Sequence, residues 1–323
     1  MAGPHDSEFL KQLAEFKEGA IESQTSPSIC QIELTNACTM SCVMCPRKKM
    51  SREVGYISLG LFRKIVDELV SITSASGCYR PFRLHHFGES LLHPQLGPIL
   101  SYLKGKGLVV GMSINPGELT DDRIKAVCDG GLSLLEVSVD GLSDAQFKGI
   151  RGPNADLALA ERNVLKLVDY KRKNSLRKPH IKVQMILMKG TEGNVDEFKR
   201  KWLSLGVDSV KIKPFSRWNG DDSLINSFSI GSSRPVAARR CSFPWSSLTV
   251  LWDGRVVPCC YDYDGLCVLG DLNRESLVDV WNGKPMQMLR QLHAEGKLSS
   301  IRLCRHCADQ LDMDPFFPFK GEI

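Results

Sequence analysis

The sequence predicts an α/β fold: a partial (β/α)6, TIM-like barrel followed by a small cysteine-rich C-terminal unit. Strand and helix patterns alternate six times between residues 28 and 215, as in parallel α/β folds. A complete eight-fold barrel takes about 250 residues, so an incomplete barrel fits this length better. The chain holds 12 cysteines, and half of them lie in its last third, which indicates a second unit there.

The elements are predicted in chain order from their apolar periodicity. A leading helix is predicted at Phe9–Glu22, a first strand at Cys30–Leu34, and a helix with an apolar face over Leu61–Leu69. The other strands are predicted near Arg83–Phe87, Val109–Ile114, Leu134–Asp140, Ile181–Leu187 and Ser209–Pro214. The other helices are predicted near Gln95–Lys104, Asp121–Asp129, Asp156–Lys171 and Val195–Ser204. Several strands carry polar residues on one face, which favours a wet interior that holds a ligand.

Four segments follow from this pattern. They are an N-terminal helix (residues 1–27), the barrel (28–215), a linker rich in Ser, Gly, Asn and Asp (216–240) and the C-terminal unit (241–323). In the last unit, Leu248–Trp252 and Val256–Pro258 flank a turn at Asp253–Gly254 and predict a hairpin. Leu277–His293 predicts a helix.

Composition excludes several classes of protein. The net charge of +5 is spread thinly, without an aromatic-interleaved basic stripe, so no nucleic-acid partner is expected. No apolar run reaches the roughly 20 residues of a membrane helix, and the charged N-terminus is not that of a signal peptide. The expected location is the cytoplasm. In that reducing compartment, grouped cysteines indicate metal or cluster ligands before disulfides.

Three cysteines follow the first predicted strand with the spacing Cys38-x3-Cys42-x2-Cys45. Structural zinc usually takes four ligands, whereas three thiolates suit a [4Fe–4S] cube that leaves one iron open. This spacing resembles the signature of the radical S-adenosylmethionine (SAM) superfamily. The resemblance implies that the open iron binds SAM and that one electron cleaves SAM to methionine and a 5′-deoxyadenosyl radical. It also implies an external one-electron reductant of the flavodoxin or ferredoxin type.

Later motifs resemble the SAM-binding segments of the same family. Phe87-Gly88-Glu89 is similar to a Gly-Gly-Glu motif that holds the methionine amino group, with Phe87 in place of the first glycine. Gly149-Ile150-Arg151-Gly152 is similar to a segment whose arginine meets the methionine carboxylate. Met44 stands where the family usually has an aromatic residue, and the resemblance implies that its backbone contact to adenine is kept while the ring packing is lost. The SAM-binding residues implied are Met44, Gly88, Glu89, Asn115, Ser138, Asp140 and Arg151.

The C-terminal unit carries a second set of four cysteines, Cys241, Cys259, Cys304 and Cys307. Four thiolates ligate every iron of a second [4Fe–4S] cluster, although paired Cys-x-x-Cys also occurs in zinc ribbons. The pattern resembles the SPASM extension in its truncated, single-cluster form called twitch. The resemblance implies two [4Fe–4S] clusters in all, the second of which accepts or passes one electron.

The remaining cysteines and one carboxylate are assigned by position. Cys260 and Cys267 are either inert thiols or hydrogen-atom donors to a substrate radical, and Asp262, beside the second site, is a candidate base. Cys30, Cys78 and Cys128 are predicted to be core residues.

The resemblance implies an oxidoreductase acting on a small polyhydroxylated molecule, as the aminocyclitol dehydrogenases of the family do. The substrate would be an aminocyclitol, a sugar or a nucleotide sugar, and the second cluster would accept its electron. Two alternatives stay open: an epimerase of a sugar or peptide with a cysteine hydrogen donor, and a non-catalytic zinc-binding protein. The candidate substrate-binding residues are Glu33, His85, Gln184, Lys213 and Arg217.

Overall fold

Six parallel strands form a sheet in the computed structural model, which describes residues 4–76, 80–218, 222–231, 240–305 and 307. Each strand pairs with the next one along the chain, so every connection is a crossover. This arrangement confirms the predicted α/β barrel region. The strands are β1 (Ile29–Ile32), β2 (Phe82–Arg83), β3 (Val110–Ile114), β4 (Leu134–Ser138), β5 (His180–Leu187) and β6 (Ser209–Pro214).

Helices precede and connect these strands. They are α1 (Pro4–Glu18), α2 (Leu59–Ser76), α3 (Leu96–Leu103), α4 (Asp121–Asp129), α5 (Asp144–Arg151), α6 (Leu157–Lys173), α7 (Val195–Ser204) and α8 (Ser223–Ser227). The sequence prediction missed α5, which Ser143 caps by accepting a hydrogen bond from the Gln146 N–H. It also missed the short α8, which lies in the predicted linker. None of the helices in the described part of the chain is long and apolar enough to cross a membrane.

One face of the sheet packs against the helices through apolar side chains. Met112, Val137 and Val183 of the strands belong to the same buried cluster as Phe62 of α2 and Trp202 of α7. The opposite face carries polar side chains at alternate strand positions. We call it the polar face and define it by Arg83, Ser113, Glu136, Ser138, Lys182, Gln184, Lys211 and Lys213.

The C-terminal unit extends the same sheet. Its predicted hairpin is confirmed and consists of β7 (Leu248–Val250) and β8 (Arg255–Val257). β7 also pairs in parallel with β1, which makes one sheet of nine strands in the described part of the chain. β8 pairs antiparallel with β9 (Gly270–Asp271). The elements of the unit are α9 (Phe243–Ser246), β7 (Leu248–Val250), β8 (Arg255–Val257), β9 (Gly270–Asp271), α10 (Leu277–Trp281) and α11 (Lys284–Ala294).

Several predicted elements are wrong in extent. The leading helix spans Pro4–Glu18 rather than the predicted Phe9–Glu22. The helix predicted at Leu277–His293 is two helices, because Pro285 at the start of α11 lacks the N–H that would continue α10. The second strand ends at Arg83, four residues before the predicted end at Phe87. The Leu84 N–H still donates to the Gly111 carbonyl of β3 at 2.8 Å, and the residues from His85 to Phe87 lead away from the strand into the Gly88–Glu89 segment.

The N-terminal segment packs on the C-terminal unit. The indole N–H of Trp245 donates to the Ala20 carbonyl at 2.7 Å, and that of Trp281 donates to the Thr25 carbonyl at 2.9 Å. The Arg290 guanidinium, on a residue with no solvent exposure, donates to backbone carbonyls of both parts of the chain. The start of the chain and its cysteine-rich end are therefore joined.

Candidate active site

The loop that carries Cys38, Cys42 and Cys45 is held by backbone hydrogen bonds to the end of α5. The Ser41 N–H donates to the Arg151 carbonyl at 3.2 Å, and the Val43 N–H donates to the Ile150 carbonyl at 2.9 Å. All three cysteines are half-buried and unpaired by disulfides. The loop thus presents three thiols from a fixed backbone.

Burial governs the protonation of two of these thiols, Cys38 and Cys45. It raises the pKa of Cys45 to about 12, with a further contribution from Cys42, and it also raises the pKa of Cys38. The ligands of a single tetrahedral ion lie within about 4 Å of one another, and in the described residues no group of three His, Cys, Asp or Glu side chains is arranged to hold one ion. A four-iron cube takes each thiolate on a different iron, so three thiolates from one loop suit a cube that keeps one iron open.

Gly88, in the segment that follows β2, lets this segment pack directly against the backbone that precedes the cysteine loop. A Cβ atom at Gly88 would lie 2.1 Å from the Thr35 carbonyl oxygen, which no side chain allows. The Glu89 N–H donates to the Ala37 carbonyl at 2.7 Å. Glycine at this position therefore keeps Glu89 close to the first thiol of the loop.

Glu89 joins the segment that follows β2 to the segment that follows β3. Its carboxyl accepts hydrogen bonds from the backbone N–H groups of Leu91 at 3.0 Å and Asn115 at 2.6 Å. Burial raises its pKa to about 8. The Nδ2 of Asn115 is buried and has no partner in the described part of the chain. An orphaned amide beside a buried carboxyl fits a bound zwitterion such as the methionine end of SAM.

Arg151 connects the first thiol set to the polar face. Its guanidinium donates to Asp140 and lies 3.7 Å from the Cys42 sulfur. The other Asp140 oxygen accepts the Ile186 N–H at 2.6 Å. Burial alone would lower the pKa of Arg151, but Asp140 and Cys42 raise it above its usual value. A fixed positive charge therefore stands next to this thiol.

The sequence did not indicate a role for Trp218. Its indole N–H donates to the Met44 carbonyl at 2.8 Å, and its ring centroid lies 4.9 Å from that of Phe87 and 5.4 Å from that of Tyr261. Trp218 also has a positive φ of 56°, which is uncommon for a bulky residue. The backbone atom predicted to meet adenine is thus in contact with Trp218.

Hydrogen bonds across three strands order the middle of the polar face. The Gln184 amide donates to the hydroxyl oxygens of Ser138 at 2.9 Å and Ser113 at 3.1 Å. His85 accepts the Ser113 N–H on its Nδ1 at 3.0 Å, and burial lowers its pKa to about 3. His85 is therefore neutral, with its remaining ring proton on Nε2.

Charged residues that sequence reasoning missed lie farther along the same face. The buried Glu136 accepts from Arg83 at 2.9 Å and lies 3.8 Å from the Lys182 ammonium. Despite its burial, Arg83 and Lys213 help to lower the pKa of Glu136 to about 2. Glu136 lies between the fully buried Leu135 and Val137, and that alternation was the available signal.

The five predicted substrate residues do not form one group. His85, Gln184 and Lys213 belong to the polar face or touch it, whereas Arg217 donates to the Ser229 hydroxyl at 2.9 Å. Both Glu33 oxygens accept from Arg52, at 2.7 and 2.8 Å. The carboxylate of Glu33 is therefore already committed to an ion pair.

The four predicted ligands of the second site lie close together. Burial raises the pKa of Cys259, and the nearby Cys260, Cys304 and Cys241 raise it further. Burial also raises the pKa of Cys304, with Cys241, Cys307 and Cys267 contributing in that order. Cys260 and Cys267 are thus two further thiols at this site, and His293, which the sequence did not single out, lies 3.7 Å from the Cys304 sulfur.

The predicted catalytic residues have different surroundings. Asp262 closes a turn, since its two oxygens accept the N–H groups of Leu266 and Cys267, each at 2.8 Å. These contacts fix the orientation of the carboxyl group, and its role as a base stays a prediction. Cys260 interacts electrostatically with Cys30 and Lys213 and so borders the polar face.

The three predicted core cysteines differ as well. Cys128 is buried in the core, as predicted. Cys30 is only half-buried and its sulfur lies 3.1 Å from the Thr249 hydroxyl, so that prediction is wrong. Cys78 lies outside the described residues.

Two family models match the chain. Residues 32–210 match the radical SAM superfamily, and residues 241–308 match SPASM, an iron–sulfur cluster-binding domain. The first match contains Cys38, Cys42 and Cys45, and the second contains all four cysteines of the second site.

Two curated relatives cover most of the chain. A tungsten-containing aldehyde ferredoxin oxidoreductase cofactor-modifying protein of Pyrococcus furiosus is 26% identical over 291 residues, which cover 78% of this chain and 80% of the relative. The S-adenosyl-L-methionine-dependent 2-deoxy-scyllo-inosamine dehydrogenase of Niallia circulans is 20% identical over 288 residues, covering 87% and 92%.

Solved structures share the fold. BtrN in complex with AdoMet and 2-DOIA superposes with a TM-score of 0.57 at 18% identity, covering 88% of this chain and 93% of BtrN. The anSMEcpe structure with bound AdoMet gives a TM-score of 0.60 at 14% identity, covering 87% and 85%.

Proposed function

The chain belongs to the radical SAM superfamily, and from that premise we propose that it is an oxidoreductase of the SPASM or twitch type. In this proposal the substrate is a small hydroxylated molecule. It loses a hydrogen atom to a 5′-deoxyadenosyl radical, its hydroxyl proton to a base, and one electron to a second [4Fe–4S] cluster. The products are then a ketone, 5′-deoxyadenosine and methionine.

The donor set of the first site fits a [4Fe–4S] cube with an open iron. Cys38, Cys42 and Cys45 would hold the cube, which when bound to SAM supplies the electron for its reductive cleavage. The protein's part is to hold SAM and exclude water. Glu89 would accept the methionine ammonium, and Asn115 Nδ2, which has no partner among the described residues, would donate to SAM.

The observation that carries the proposal is that the polar face borders both thiol sets. At one end, Arg151 lies between Cys42 and Asp140, which directly follows the polar-face strand β4. At the other end, Cys260, which adjoins Cys259, interacts electrostatically with Lys213. A substrate on the polar face would therefore lie between the radical source and an electron acceptor held by Cys241, Cys259, Cys304 and Cys307.

Cysteine variants separate the two steps of this reaction. In the anaerobically reconstituted enzyme with SAM and a reductant, we expect Cys304→Ala/Cys307→Ala to keep forming 5′-deoxyadenosine and to lose ketone formation. Cys42→Ala should lose both, and the core variant Cys128→Ala should lose neither. Ketone formation at the wild-type rate in the double variant would contradict the proposed electron acceptor.

A second candidate function is favoured by one observation, the position of Cys260 at the polar face beside Lys213. A thiol at this place could return a hydrogen atom to the opposite face of the substrate radical and give an epimer. Turnover in D2O distinguishes the two candidates. An epimerase would incorporate one deuterium from solvent without net oxidation, and Cys260→Ala would stop it; a dehydrogenase would give one ketone per 5′-deoxyadenosine.

A further inference from the structure

The charge of the polar face bears on the chemistry of the substrate. One buried carboxylate, Glu136, interacts with three cations of this face. Arg83 and Lys182 form ion pairs with it, and Lys213 interacts with it electrostatically. Arg83 contacts that carboxylate through two guanidinium nitrogens, at 2.9 and 3.3 Å, and Lys182 approaches it to 3.8 Å. Glu136 is thus committed to the first two cations.

Lys213 differs from the other two cations. Its side chain is exposed to solvent, and desolvation together with the nearby Arg83 and Lys211 lowers its pKa. The charged and titratable groups that act on it are Glu136, Arg83, Cys260 and Lys211. Among the described residues, no carboxylate lies within ion-pair distance of Lys213. An accessible cation on a face whose cations outnumber its carboxylates is a binding feature for an anion.

Lys213 is also well placed relative to the ordered part of the face. Lys213 pairs with Ile186 in the β5–β6 register, two residues beyond the pair formed by Lys211 and Gln184. Gln184 is fixed by Ser113 and Ser138, so neutral hydrogen-bonding groups adjoin the cation. Such a surface suits a molecule that carries hydroxyls and ends in an acid group.

We propose that the substrate carries an acid group, a carboxylate or a phosphate, which Lys213 binds on the polar face. This inference rests on the proposed function for the place of the substrate and adds its chemical class. It separates this enzyme from the aminocyclitol dehydrogenase it resembles in sequence, since an amino group would bring a positive charge next to Lys213, Lys211 and Arg83.

Inorganic phosphate is the first probe. The reconstituted holoenzyme with SAM would be dialysed against labelled phosphate at low ionic strength. We expect saturable binding of one phosphate per chain, weakened about tenfold or more in Lys213→Met, as for loss of a hydrogen bond to a charged group. Lys213→Arg should retain most of the affinity, and the control Lys106→Met, whose lysine pairs with Asp67 at the surface, should not differ from wild type.

A matched set of sugars identifies the acid group. D-glucose, D-glucosamine, D-glucuronate and D-glucose 6-phosphate would compete with labelled phosphate. Stronger competition by glucuronate assigns a carboxylate, and stronger competition by glucose 6-phosphate assigns a phosphate. Absence of saturable phosphate binding, equal affinity in Lys213→Met, or competition by glucosamine as strong as by the acids would overturn the inference. None of these readouts needs turnover, so failure here is distinguishable from failure of the proposed oxidation.

Discussion

At the scale of single residues, buried ionic side chains are stabilised by oppositely charged partners from other segments of the chain. Glu33 and Arg52 are almost fully buried, with 0% and 3% of their side chains exposed, and form two hydrogen bonds to each other. His86 lies 3.4 Å from the same carboxylate. Although burial opposes ionisation, His86 and Arg52 lower the pKa of Glu33 to about 2. The ion pair therefore fixes the loop after the first cysteines to β1.

Removing one member of this pair tests that role. Arg52→Met should lower the free energy of unfolding by about 3–5 kcal/mol, because it leaves a buried carboxylate without its cation. Urea unfolding of the metal-free protein at pH 7 measures the difference. The matched control is Arg274→Met, whose arginine is 86% exposed and lies 4.0 Å from Asp271; it should cost less than about 1 kcal/mol.

The loss of stability in Arg52→Met should also depend on pH. Because the pKa of Glu33 is lower in the folded state than its ordinary 4.5, its ionisation stabilises the fold above that value and less so as the pH falls toward about 2. The difference in the free energy of unfolding between wild type and Arg52→Met should therefore decrease as the pH falls from 5 to 3. A difference that is constant over this range would contradict the ion pair.

Elements with local signals were predictable, and those that depend on distant pairing were not. The limits of α4, α7 and β6 agree with the apolar periodicity at Asp121–Asp129, Val195–Ser204 and Ser209–Pro214. The short β2 and the pairing of β7 with β1 depend on register between remote segments, which no local pattern encodes. Likewise the two sets of cysteines are readable from their spacing, whereas the contacts of Glu136 with Arg83 and Lys182 required knowing which strand faces are adjacent.

The contact between the β2 end and the cysteine loop gives an element-level prediction. Gly88→Ala should separate the two segments, since its Cβ would lie 2.1 Å from the Thr35 carbonyl oxygen. We expect loss of SAM binding in equilibrium dialysis of the reconstituted protein. Gly97→Ala in α3 is the control, because nothing lies within 4 Å of its Cβ position and alanine favours a helix. Equal SAM affinity in both variants would exclude this packing role.

At the scale of the whole molecule, one continuous sheet joins the two cysteine-bearing parts. β1, which precedes the first thiol set, lies beside β7, which precedes Cys259. The N-terminal segment reinforces the junction through Trp245 and Trp281. Since β-sheet pairing fixes their relative position, the proposed electron transfer from the substrate to the second site requires no rearrangement of the fold.

The proposed function requires two clusters held by seven cysteines, three in the first set and four in the second. The decisive measurement is iron and acid-labile sulfide per chain after anaerobic reconstitution, in wild type, Cys38→Ala/Cys42→Ala, Cys304→Ala/Cys307→Ala and the control Cys128→Ala. Each cube holds four irons, so we expect about eight irons in wild type and in the control, and about four in each double variant. About eight irons in the Cys304→Ala/Cys307→Ala protein, or zinc in place of iron at that site in wild type, would contradict it.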